Sequence, residues 1–131
     1  MLLDWPTFVL QRRINQPLAE VQRVLCDPAS VETGAELELG SQGRLVVDQR
    51  FARAPFPADS SFVAHATLET PRGQRVARVE VEVGAWSHDA TVLMLRPVSP
   101  HPERWGGRRT NRYFALAHES ADVVARLAQA S

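Results

Sequence analysis

Residues 113–130 read YFALAHESADVVARLAQA, and this stretch decides the fold. At 100° per residue, Tyr113, Leu116, Ala117, Ser120, Val124, Leu127 and Ala128 share one face, with Glu119, Asp122 and Arg126 opposite. The spacing predicts an amphipathic helix over Tyr113–Ala130. Its apolar stripe must be buried, and the only large partner upstream is a series of strand-like segments. A sheet curled around one long helix leaves room for a cavity between the two. The predicted shape is a container.

Working outward, Ser99–Thr110 carries Pro100, Pro102, Gly106 and Gly107 and reads as a loop. Before it, Ala90–Pro97 sets Leu93 and Leu95 on one face and Val92, Met94 and Arg96 on the other. Arg75–Ala85 alternates most cleanly, with Val79, Val81 and Val83 against Arg78, Glu80 and Glu82. Ser61–Glu69 places Phe62, Ala64, Ala66 and Leu68 together, with His65 and Glu69 opposite. Arg44–Arg53 does the same with Leu45, Val47, Gln49 and Phe51. Turns are expected at Gly40–Gly43, Thr70–Gly73 and Ser87–Asp89, and a loop at Ala54–Pro57. One-sided strands joined by short turns make an antiparallel sheet with one wet face.

Glu36–Leu39 alternates as a further short strand, and Thr7–Ile14 as an opening one with Phe8, Leu10, Arg12 and Ile14 on one side. Asn15 and Pro17 then start a short helix through Leu25, whose apolar side is Leu18, Val21, Val24 and Leu25, and Asp27-Pro28 stops it. The fold class is α+β: a curved antiparallel sheet wrapped around a long C-terminal helix, with a short N-terminal helix. Residues 1–131 are expected to form one domain.

Fifteen basic and fifteen acidic residues balance, so bulk charge favours neither nucleic acid nor an anionic membrane. Every basic residue is Arg, which suits planar contacts with anions. The single Cys26 excludes an intramolecular disulfide and a cysteine zinc cluster, and reads as a buried structural thiol. No apolar run approaches the length of a membrane span, and Met1–Pro6 shows no leader pattern. A cytoplasmic protein without membrane insertion is expected.

Catalytic motifs are absent: no HExxH, GxSxG, phosphate-binding glycine loop or GxGxxG occurs. His65, His88, His101 and His118 are scattered without ligand spacing, so neither metal nor cofactor is expected. Polar groups on apolar faces are more informative: Arg12, Gln49, Tyr113 and Ser120 must be hydrogen-bonded inside a core, or face a ligand. Small residues such as Ala64, Ala66, Ala117 and Ser120 leave volume on facing surfaces. The candidate ligand-binding residues are therefore Leu10, Arg12, Gln49, Phe51, Ala64, Val81, Leu93, Tyr113, Ser120 and Val124. Arg104, Arg108, Arg109 and Arg112 cluster around Trp105 at the helix entrance. They mark a solvated loop if the helix begins later, or an anion contact if it does not.

The element order, with the strand Phe8–Ile14 running into Asn15-Gln16-Pro17-Leu18-Ala19-Glu20-Val21 and then Cys26-Asp27-Pro28, resembles the START-like or Bet v 1-like helix-grip superfamily. Its bacterial polyketide cyclase/dehydrase and lipid-transport branch is the most similar. The resemblance implies a hydrophobic cavity between incomplete barrel and closing helix that takes lipids, polyketides or other apolar molecules. It implies no shared catalytic set. The first expectation is thus binding of an apolar or amphipathic small molecule. The alternatives are a polyketide cyclase or aromatase of the same fold, and a protein- or RNA-contacting module using Arg104–Arg112, although nucleic acid is disfavoured by the charge balance. Val92, Met94 and Trp86 on the outer sheet face call for a cover, either a homodimer or the loop around Trp105.

Overall fold

Valines at alternate positions cannot change faces singly, because a slip of one residue exchanges the whole set. Val79, Val81 and Val83 are all buried, while Glu80 and Glu82 lie half-buried on the other face, where Arg96 bridges them at 3.0 and 3.7 Å. Burying one such valine is worth roughly 1.5–3 kcal/mol. A partly exposed ion pair is worth about 1 kcal/mol or less. The apolar face sets the register and the charges follow it.

The computed structural model describes residues 8–25, 36–48, 62–98 and 101–130. Its elements are β1 (Leu10–Ile14), α1 (Leu18–Leu25), β2 (Glu36–Glu38), β3 (Arg44–Asp48), β4 (Phe62–Glu69), β5 (Arg75–Ser87), β6 (Ala90–Pro97) and α2 (Gly107–Gln129). All strand pairings are antiparallel, in the order β1-β6-β5-β4-β3-β2. Five strands thus form a meander, and the first strand returns beside the last. The six-stranded sheet curls into a half-barrel and α2 lies along its concave face.

The turns carry the expected chemistry. Thr70 and Gln74 close the β4–β5 turn, with Gly73 at φ +85°, and Thr70 Oγ1 accepts from the Gln74 backbone N–H at 3.1 Å. Gly43, at φ +138°, is tighter still, since a Cβ there would sit 1.9 Å from the Glu69 carbonyl oxygen. Only glycine lets β3 approach the end of β4 this closely.

Two element starts differ from expectation. Helix α1 begins at Leu18, with the Glu20 and Val21 amides bonded to the Pro17 carbonyl, while its buried side is the predicted Leu18, Val21, Val24 and Leu25. Helix α2 begins at Gly107, six residues before the predicted start. Gly106 is extended and accepts from the Thr110 amide, so glycine at this point caps the helix and does not prevent it. The buried stripe contains Ala121 and Val123 besides the predicted residues, and Leu127 stands 42% exposed. Helical angle alone does not reveal where the covering surface ends.

Candidate functional site

The concave face is built in rows that cross the sheet. Leu10, Leu95, Val81 and Ala64 are consecutive cross-strand partners, and Arg12, Leu93 and Val83 form the next row. The candidates Leu10, Ala64 and Val81 therefore share one row, with Arg12 and Leu93 beside it. Ala64, Val81 and Leu93 are fully buried, and Leu10 is half-buried on the edge strand. Tyr113, Ser120 and Val124 face them from α2 and are buried too. Gln49 and Phe51 lie outside the described residues.

The polar groups on this face are answered from within the chain. Tyr113 Oη donates to the Phe8 carbonyl at 2.5 Å, and burial pushes its hydroxyl well above the ordinary phenol range. It is the centre of an aromatic cluster, with Trp105 and Phe114 rings at 5.4 and 5.1 Å and Phe8 at 6.4 Å. Ser120 Oγ donates to the Leu116 carbonyl one turn back, at 2.7 Å. Arg12 lies on the concave face, but its edge strand lets Nη1 reach Asp122 Oδ1 of α2 at 2.6 Å. With the two side chains 35% and 46% exposed, this pair straps helix to sheet at the rim. The result is an apolar wall whose inward hydroxyls from α2, those of Tyr113 and Ser120, are both bonded to backbone carbonyls.

On the convex face, Val92 and Met94 are half-buried and Trp86 is 59% exposed, with the Arg13 guanidinium 5.6 Å from its ring centre. Trp105 sits on the concave side, against Phe8 and Tyr113. The Trp105 ring itself is therefore on the opposite side from Val92 and Met94 and does not cover them.

A second region appears only in three dimensions. Arg108, Arg109 and Arg112 stand on the first two turns of α2, opposite Arg72 of the β4–β5 turn and Arg75 at the start of β5. Together they border two adjoining concavities of about 340 and 380 Å³ that share Thr70, Gln74 and Arg112. The sequence reading identified the helix arginines and missed Arg72 and Arg75. Their signal was present as a basic residue inside and just after a Pro-Gly turn, but nothing in the sequence shows which helix end that turn meets. Among the described residues no group of His, Cys, Asp and Glu is arranged to hold a metal ion. Among them no helix is long and apolar enough to cross a membrane.

The architecture is of the helix-grip type. No protein-family model matches the chain, and no curated protein matches it. Among solved structures it is similar to the crystal structure of DynU16, a protein of the dynemicin biosynthetic locus, with a TM-score of 0.51 over 90% of this chain and 16% identity. The chain spans 45% of that protein's length. At this identity the likeness is one of fold.

Proposed function

We propose that the protein binds an apolar or amphipathic small molecule, lipid-like or polyketide-like, between the concave face of the sheet and α2. The observation that carries this reading is the chemistry of the two facing surfaces. They are apolar and dotted with small residues, Ala64 and Ala66 on the sheet against Ala117, Ser120 and Ala121 on the helix. The few polar side chains there already have partners. Such a surface selects a ligand by size and shape, with little chemical discrimination. The Tyr113 oxygen, whose proton is committed to Phe8, has lone pairs left to accept one hydrogen bond from an amphipathic head. The fold neighbour from a biosynthetic locus supports the same direction.

A cyclase reading draws no comparable support. Among the described residues Tyr113 bonds a backbone carbonyl, and the carboxylate that Arg12 meets, Asp122, stands at the exposed rim and is taken up by that ion pair, so neither pair is arranged as an inward acid–base couple. The binding reading is tested by titrating an apolar fluorescent probe and a long-chain fatty acid into the protein. Saturable binding of one molecule, with a rise in melting temperature, is the expected result. A failure of both ligands to bind or stabilise contradicts the reading.

The convex patch of Val92, Met94 and Trp86 supports a homodimer, because a two-fold axis lets one patch cover its copy. Sedimentation equilibrium should show a dimer for the wild type and a monomer for Met94→Glu. A wild type that is monomeric at tens of micromolar, roughly where a modest interface shows, removes the dimer.

A further inference from the structure

The described arginines divide into two populations. Six are in ion pairs: Arg12, Arg23, Arg44, Arg78, Arg96 and Arg126 each lie within 3.7 Å of a carboxylate. Of those without a carboxylate partner, five border the same trough: Arg72, Arg75, Arg108, Arg109 and Arg112. Among the described residues no Asp or Glu lines either concavity. In a chain with equal numbers of acids and bases, this is a segregation of charge among the described residues.

The arrangement opposes local stability. Guanidinium groups gathered in one concavity repel one another. Three of them also stand at the positive end of a 23-residue helix that has no acidic residue in its first turn. All five are solvent-exposed, so water and salt screen much of this cost and the remainder is small. One of the five is held in place: Arg109 Nε donates to the Val76 carbonyl at 3.0 Å and its guanidinium lies 4.3 Å from the Trp105 ring centre. Its remaining N–H groups are left to an outside acceptor. Around it the Thr70 and Ser41 hydroxyls and the Gln74 and Gln42 amides add polar side chains able to donate.

We infer that this trough is a binding site for a small molecule carrying a diphosphate or two phosphate groups, separate from the apolar site between sheet and helix. A wall of donors without carboxylates asks for an acceptor-rich anion, and forked guanidiniums match phosphate oxygens two at a time. A single carboxylate would offset one of five positive charges. Two adjoining concavities, each near the lower size limit of a small-ligand pocket, fit two linked anionic groups. The site is concave and bounded on two sides by the β4–β5 turn and α2. That geometry favours a compact polyanion over an extended nucleic-acid strand, since among the described residues the aromatic ring beside the arginines, Trp105, is already taken up by Arg109, Phe8 and Tyr113.

The probe is inorganic pyrophosphate, titrated calorimetrically into the full chain at fixed ionic strength. The expected result is saturable binding of one pyrophosphate per chain, tighter than orthophosphate, with a raised melting temperature. Arg108→Gln/Arg112→Gln should weaken binding at least tenfold, and Arg75→Gln, on the facing wall, should weaken it independently. Arg126→Gln, paired with Glu119 at the far end of α2, should leave it unchanged. Two further arms separate the sources of phosphate. Co-sedimentation with phosphatidic-acid vesicles that pyrophosphate reverses would assign the site to a lipid headgroup, and pyrophosphate binding without vesicle binding to a soluble metabolite. Absence of saturable pyrophosphate binding overturns the inference. Binding that survives both the double variant and Arg75→Gln does so too, as does binding of single-stranded RNA alone.

Discussion

The two ends of α2 treat polar groups in opposite ways. From Tyr113 onward the helix lies on the concave sheet, and among the described residues its inward polar side chains have partners: Tyr113 on Phe8, Ser120 on Leu116, and Arg12 of the sheet strapped to Asp122 at the rim. Over Gly107–Arg112 the same helix presents three arginines to Arg72 of the β4–β5 turn and Arg75 at the start of β5, and among the described residues no carboxylate answers them. The first region is self-satisfied and gains its stability from packing. The second gives up stability at a place where the chain had fifteen acidic residues to draw on. The contrast teaches that recognition by shape and recognition by charge leave different traces. An apolar site looks like a core, and a charged site looks like an unfinished ion-pair network.

The largest effect should come from the packed end. Leu93→Ala removes a fully buried side chain from the middle of the sheet and is expected to cost roughly 2–5 kcal/mol, read as a fall in the urea midpoint. A loss below about 1 kcal/mol would mean that this face is loosely packed, and the contrast between the ends would break.

Tyr113→Phe comes next, with an expected loss of about 1–3 kcal/mol, because it leaves the buried Phe8 carbonyl without its donor. It also carries a pH signature. The hydroxyl's folded pKa is raised above its unfolded value of 10.0, so its contribution is fully present below pH 10 and falls as pH rises beyond it. As Tyr113 is the only tyrosine, tyrosinate absorbance reports on it alone, and should appear only with unfolding. Tyr113→Phe should lack this component of alkaline destabilisation. Ionisation of Tyr113 in the folded protein near pH 10 would place it in contact with water.

The effects then become small. A double-mutant cycle on Arg12 and Asp122 should give a coupling of about 0.2–1 kcal/mol that fades with added salt, as expected for a rim strap. At the other end, Arg112→Gln should not destabilise the protein at all. A shift of about 0.5 kcal/mol or less towards greater stability is expected, since one repelling charge leaves the helix entrance. A clear loss of stability would show that Arg112 has a structural partner, and would end the distinction between the two regions.

Much of the packed end was legible in the sequence, because period-two alternation and a 3.6-residue stripe are local signals. Val79, Val81 and Val83 fix the faces of β5, and Leu93 and Leu95 those of β6, without reference to anything distant. The start of α2 was not legible for a physical reason. Gly106 and Gly107 read as breakers, yet a glycine pair at a helix entrance serves as a cap when the next turn is held in place. Here the holding contacts are Arg109 on Val76 and on Trp105, and neither is visible along the chain. Arg12 was read correctly as sharing a face with Leu10 and Ile14, but alternation does not say that β1 is an edge strand. Its edge position lets the side chain turn out to Asp122. The arginine trough was half legible, for Arg72 and Arg75 lie more than thirty residues before Arg108 and only the meander brings them together.

The central claim, that the facing apolar surfaces of sheet and α2 hold a small molecule, is tested most directly by native mass spectrometry of the protein purified from its own host. The account predicts a population heavier than the bare chain by the mass of one small apolar or amphipathic molecule, released on collisional activation and displaced by added fatty acid. A spectrum containing only the bare polypeptide, together with no uptake of added fatty acid, would contradict it.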